Sequence, residues 1–380
     1  MKRKFRVIVG MLLLAIPLCV NAQVKIAKPG QNPKDAKEEK TEQEKPEKPK
    51  GGLEMPKISG FVQGMYQANL TDEGKLMEGD KASTFRMRRV RLSVDGKLSK
   101  TVSYKIQGDF VRSPMLVDAY VKYKPCNEFA IQVGQFKTPF TIESPINPVN
   151  LEIFDYGEII QQLGGYKDVC GVGGLGRDIG VMATGSFIPM MKGESIDYNI
   201  IDYAVGVFNG NGPVNTDNNN RKDIVGRLEV HPGLKAITLS GSYYYGKYYK
   251  DEENHGTRNR WAAGAQYNDG KLVLRGEYVG GKTGYVPTVI PEDLGYFNSN
   301  GYYAQAGYYF QAGEQKIMPV LRYEHFTADQ AVANGGTNWY TAGINYWPLK
   351  SVNFKLDYSL VQKESGTNSH RVVGILSYKF

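Results

Sequence analysis

From Lys57 to its last residue the chain alternates between apolar and polar positions. In the last ten residues Val372, Gly374, Leu376, Tyr378 and Phe380 fall on one side of an extended strand. Arg371, Val373, Ile375, Ser377 and Lys379 fall on the other, because successive side chains point to opposite faces. One side is apolar or small and ends in two aromatics; the other carries both charges. A period of two is incompatible with helix, so the pattern predicts an all-β protein. No internal run approaches the roughly 20 apolar residues that a spanning helix needs, and mean hydropathy is only −0.41. A transmembrane barrel is compatible with that value, since only every second residue meets lipid.

Sixteen such stretches follow one another from Lys57–Asn69 to Arg371–Phe380. The even-numbered ones end in tight turns, such as Leu98-Ser99-Lys100, Asn268-Asp269-Gly270 and Pro348-Leu349-Lys350. The odd-numbered ones mostly end in longer polar loops, such as Leu70–Ser83, Gly210–Arg221, Thr283–Asn300 and Thr327–Thr337. Short turns inside and long loops outside are the asymmetry of a bacterial barrel with both termini in the periplasm. The expected fold is an all-β, transmembrane antiparallel β-barrel of about 16 strands over residues 57–380, wide enough for a water-filled lumen. The longest connection, Lys137 to Gly176, is too long for an idle loop. Within it Asn150–Leu163 is expected to form a short helix capped by Asn150, with Glu152 in its first turn. This third loop is expected to fold into the lumen and narrow it.

Residues 1–22 read as a secretory signal: Lys2, Arg3, Lys4 and Arg6, an apolar stretch from Val7 to Val20, then Val20-Asn21-Ala22 before a cleavage point. Removing the four basic residues lowers the formal net charge from +8 to +4, too small a surplus to suggest a nucleic-acid partner. Cys19 leaves lipidation as an alternative, although Pro17-Leu18 lacks the small residue that a lipoprotein signal needs. Residues 23–56 are rich in Lys, Glu, Pro and Gln and cannot bury enough surface to order themselves; they read as a disordered periplasmic linker. Cys126 and Cys170 fall near opposite rims of the expected barrel, beyond bridging reach, so two free thiols are expected.

Alternation also assigns faces. Val90, Leu92 and Val94 should meet lipid, leaving Arg89, Arg91, Ser93 and Asp95 inside. Lys105, Gln107 and Asp109 should point inward from the next strand. After it, Val117, Ala119 and Val121 should face out, with Asp118, Tyr120, Lys122 and Lys124 inside. Arg227 with Glu229, Arg275 with Glu277, Arg322 with Glu324 and Lys355 with Asp357 read as paired charges that solvate the inner wall. Arg86, Arg88, Arg89, Arg91, Lys105, Lys122 and Lys124 instead form a basic strip with few acids nearby in sequence. Such a strip in a confined pore either selects anions by charge or merely solvates the wall.

The segments FRMRRVRLSVDGKL (Phe85–Leu98), YKIQGDF (Tyr104–Phe110), DAYVKY (Asp118–Tyr123) and VGQFKTPF (Val133–Phe140) resemble the phosphate-selective porin O and P family. The aromatic last residue likewise resembles the terminal strand of bacterial outer-membrane barrels. The resemblance implies a sixteen-stranded, trimeric porin of the bacterial outer membrane, without a cofactor, in contact with outer-membrane lipid. Its basic residues would guide phosphate or other small anions toward the third loop. Carried over, Arg89, Arg91, Lys105, Lys122, Lys124 and Lys137 become candidate anion contacts, and Asn150, Glu152, Asp155, Glu158 and Lys167 belong to the constriction. Between Thr138 and Gly176 the one basic residue is Lys167, against Glu143, Glu152, Asp155, Glu158 and Asp168. A constriction built from that loop would be acidic, which leaves a weakly selective or cation-preferring porin as an alternative.

Other patterns carry less. Gly171–Gly176 matches G-x-G-x-x-G, but the nucleotide fingerprint needs a helix after it, and here a strand follows. The histidines (His231, His255, His325, His370) lack metal-ligand spacing. An outer-membrane enzyme stays open as an alternative, because a catalytic triad is defined by geometry. Tyr243–Tyr245, Tyr248-Tyr249 and Tyr302-Tyr303 read as girdle aromatics at the membrane interface.

Overall fold

The computed structural model describes residues 55–79, 82–251, 255–285 and 295–380. The signal expected over 1–22 and nearly all of the linker expected over 23–56 lie outside the described residues. The chain forms β1 (Lys57–Thr71), β2 (Ser83–Lys97), β3 (Val102–Asp109), β4 (Leu116–Tyr123), β5 (Ala130–Lys137) and β6 (Arg177–Lys192). Then come β7 (Ser195–Phe208), β8 (Asp223–Val230), β9 (Ile237–Tyr249), β10 (His255–Asn268) and β11 (Leu272–Tyr285). β12 runs over Gly295–Tyr308 and resumes as Phe310–Ala312; β13 (Gln315–Thr327), β14 (Gly336–Leu349), β15 (Val352–Lys363) and β16 (Asn368–Lys379) complete the set. Sixteen strands pair antiparallel with their sequence neighbours and close into a cylinder.

Closure is made by β1 on β16, in register from Phe61↔Lys379 to Thr71↔Ser369. Phe380 completes the seam: its N–H donates to Gly60 O at 3.1 Å and its carbonyl accepts from Gly60 N–H at 3.0 Å. A closed ladder leaves no edge groups to desolvate, which a bilayer demands.

The two faces invert the rule for a water-soluble protein. On β15, Leu356 is 54 % exposed and Tyr358 45 %, whereas Lys355 is 4 % and Asp357 1 %. The apolar face points out to lipid, and the polar face lines the concave side. Arg or Lys on the outer face would cost about 2–4 kcal/mol at mid-membrane.

Four register shifts occur among the described residues, and two of them alter the faces expected for the basic strands. Between β1 and β2 the register shifts at Gln63/Gly64, which inserts Arg88 as an extra residue. Arg88 and Arg89 are therefore both buried on the inner face, as a two-for-one bulge allows. Between β3 and β4 the shift at Gln107/Gly108 inserts Val117, which is fully buried rather than outward as alternation alone required. The tyrosines also divide. Tyr243, Tyr245 and Tyr302 are outward, but Tyr244, Tyr248 and Tyr303 are buried, because neighbours on a strand cannot share a face.

Cys170 is a free thiol, so it does not bridge to Cys126. Cys126 is not free, so the expectation of two free thiols holds for Cys170 alone.

Candidate functional site

The connection from β5 to β6 bonds to side chains of β2 and of strands from β8 to β16. It opens at Lys137, whose ammonium donates to Ser144 O at 2.5 Å, Ile146 O at 2.9 Å and the Tyr156 hydroxyl at 2.8 Å. All three of its donors are taken by the loop itself.

The expected helix is shorter and begins later. Pro148–Asn150 is a 3₁₀ turn capped by Asn147, and α1 spans only Glu158–Leu163 after Gly157. Asn150 is no cap; its Oδ1 accepts from Lys379 Nζ at 2.7 Å. The N–H groups that a cap would satisfy are met by buried carboxylates instead. Gly157 N–H donates to Glu143 Oε1 at 2.8 Å and Ile159 N–H to Glu324 Oε1 at 2.7 Å. Because wall and loop supply these acceptors, the helix forms only where they reach it.

Four of the five loop acids pair with wall arginines. Glu143 meets Arg322 Nη1 at 2.5 Å, and Arg322 also lies 3.3 Å from Glu324 and 3.8 Å above the Tyr303 ring. Glu152 takes a fork of two bonds from Arg275, both 3.0 Å, and a third from Gln305 at 3.0 Å. Asp155 is gripped by Arg89 at 2.8 Å and by Arg88. Asp168 lies 2.8 Å from Arg260. The fifth, Glu158, is half-buried and accepts from Gln162 at 2.6 Å.

Wall groups also hold the loop backbone. Lys355 donates to the Leu151 and Ile153 carbonyls, Asn345 to Glu152 O at 2.6 Å, and Glu277 accepts from Ile142 N–H at 2.6 Å. Between these bonds Phe140, Leu151, Tyr156, Ile159, Ile160 and Leu163 pack on inward apolar residues of the wall. Burial alone would raise the Asp155, Glu152 and Asp168 carboxyls. The facing guanidiniums outweigh it and hold all three below the usual carboxylate range.

Sequence reading therefore placed the wall charges on the right face but paired some wrongly. Arg275 serves Glu152, while Glu277 serves the loop backbone and Tyr303. Arg322 does pair with Glu324, and Arg227 with Glu229 at 3.6 Å. Arg177, Arg258 and Arg260 were not singled out. Arg177 binds Asp118 at 2.7 Å, and Arg258 binds Asp223 at 2.7 Å. Their signal was inward parity near loop ends.

The basic strip has acid partners after all. Arg91 meets Asp109 at 3.0 Å, and Lys105 lies 3.4 Å from Asp95. Among the described residues Lys122 and Lys124 make no ion pair. They border a recess of about 230 Å³ with Asn127, Ser186, Asp202, Arg227 and Glu229. Lys167 is exposed on the loop.

The family model for phosphate-selective porin O and P matches residues 62–256 and 246–379. The chain belongs to this porin family. It is a porin of the bacterial outer membrane, and family and fold together point to a channel. A comparison with curated proteins finds no match. Among solved structures the porin is similar to the outer membrane channel DcaP of Acinetobacter baumannii, at 15 % identity and TM-score 0.59, covering 88 % of this chain and 99 % of that one. An anion-selective porin from Comamonas acidovorans matches at 13 % identity and TM-score 0.62, covering 86 % and 99 %. The trimer form of OmpT from Vibrio cholerae matches at 11 % identity and TM-score 0.55, covering 86 % and 100 %. At such identities the likeness concerns the fold.

Proposed function

We propose that this porin passes small hydrophilic solutes by passive diffusion, favours anions such as phosphate, works as a homotrimer, and is constricted by residues 138–176 folded into its lumen. The fit of loop acids to wall arginines supports the reading most strongly. Pairs from the loop to β2, β10, β11 and β13 through Asp155, Asp168, Glu152 and Glu143 support a path across the lumen. The same pairs neutralise the acids that would otherwise make the constriction cation-preferring. The charges left facing water include Lys122, Lys124 and Lys167, and a confined positive surface concentrates anions. Family membership and the trimer form of the Vibrio neighbour support the assembly.

Zero-current potentials across planar bilayers in a KCl gradient test this. Wild type should reverse on the chloride side. Lys122→Gln with Lys124→Gln should move the potential toward zero by a large part of its value, with conductance retained. A wild-type reversal on the potassium side would refute the anion preference, and absence of any current would refute the channel.

A further inference from the structure

One sector of the inner wall gathers several buried guanidiniums. Around Asp155 the buried guanidiniums outnumber the carboxylates. Arg88 and Arg89 grip Asp155, and Arg91 and Arg112 share Asp109 at 3.0 and 3.5 Å. Arg371 lies over the Phe154 ring at 4.4 Å, with Arg88 on the same ring at 5.7 Å. Three buried guanidiniums, Arg88, Arg89 and Arg91, thus face two acids; the half-buried Arg112 and Arg371 stand beside them, Arg371 also in the field of Glu158, Glu324 and Asp357. The Nε atoms of Arg88, Arg89 and Arg371 are buried with no hydrogen-bond partner, although Arg88 is 9 % and Arg89 2 % exposed. A buried surplus of guanidinium donors calls for a multivalent oxyanion, which binds such forks in pairs. The space facing Arg88 and Arg89 is filled by a monovalent carboxylate on the loop. Arg86, exposed one turn of the pleat nearer the outer mouth, marks the approach.

We propose that Asp155 is a tethered stand-in for the transported solute. A free divalent oxyanion displaces its carboxylate from Arg88 and Arg89, the limb carrying Phe154 and Asp155 yields, and the solute opens its own path. This deepens the porin reading and rests on it. The swap exchanges non-covalent partners only. An internal competitor lowers apparent affinity by the fraction of time that it occupies the site.

The test is inhibition of single-channel chloride current by inorganic phosphate and by sulfate. Asp155→Asn should lower the half-blocking concentration about tenfold, because the competing charge is gone, and should raise chloride conductance. Asp155→Glu, which restores a carboxylate, should block as wild type does. Asp168→Asn releases the loop from Arg260 instead, and should raise conductance with little change in block. Equal block in wild type and Asp155→Asn, or an equal gain in Asp168→Asn, would overturn the proposal while leaving the porin intact. Silence of all four proteins in the bilayer, with the heat-modifiable gel mobility of a folded barrel, would instead overturn the porin reading.

Discussion

Replacing Arg322 with methionine is expected to release the third loop. The guanidinium stands between Glu143 and Glu324, and its side chain is 1 % exposed. Those two carboxylates in turn hold the N–H groups of Gly157 and Ile159 at the start of α1. Without Arg322 both acids stay buried and lose the guanidinium that pairs with them, Glu143 also lying in the field of Glu277. Breaking a buried pair from one side costs about 3–5 kcal/mol, because the remaining ion is uncompensated. The sixteen-stranded ladder does not depend on this contact, so the loss should fall on the loop. Single-channel conductance should rise, and protease should cut between Thr138 and Gly176 in folded protein. Adding Glu143→Gln to Arg322→Met should restore part of the docking, as coupled neighbours do in a double-mutant cycle. Wild-type conductance together with wild-type protease resistance would show that the latch carries no energy.

The wall was legible in the sequence because a period of two states both strand and face at once. It faltered at Arg88 and Val117, where a bulge adds one residue and parity flips; nothing in FRMRRVRL marks which arginine is extra. It faltered again at the tyrosine pairs, where composition suggested a girdle and alternation, applied strictly, would have sent every second ring inward. The site was legible in its parts but not in its pairing. Glu143 and Arg322 are 179 positions apart, and Glu152 and Arg275 are 123 apart. Local spacing suggested Arg275 with Glu277 and Arg322 with Glu324, both two apart, and only the second formed. The five acids of the loop looked like a threat to anion passage, and the arginines of the wall looked like free anion guides. Each set was read alone. Acidic loop and basic wall are complements, and Arg89, expected as a bare solute contact, is already paired with Asp155.

Acidification supplies the other large effect. Asp155, Glu152 and Asp168 are each buried, which raises a carboxyl, yet their arginine partners hold all three below the ordinary range. A group depressed on docking lends its full stabilisation above its undocked pKa and loses it as pH falls through the docked value. The undocked values are those of free Asp and Glu, about 4. Docking should therefore be complete at neutral pH and weaken progressively below about pH 4, one latch after another. Conductance recorded from pH 5 down to pH 3 should stay level and then climb reversibly, with protease cleavage in the loop appearing over the same interval. Asp155→Asn, having lost one titrating latch, should climb less. A flat trace in wild type would mean that apolar packing of Leu151, Ile159, Ile160 and Leu163 holds the loop by itself. The ion pairs would then set its position in the lumen and not its release.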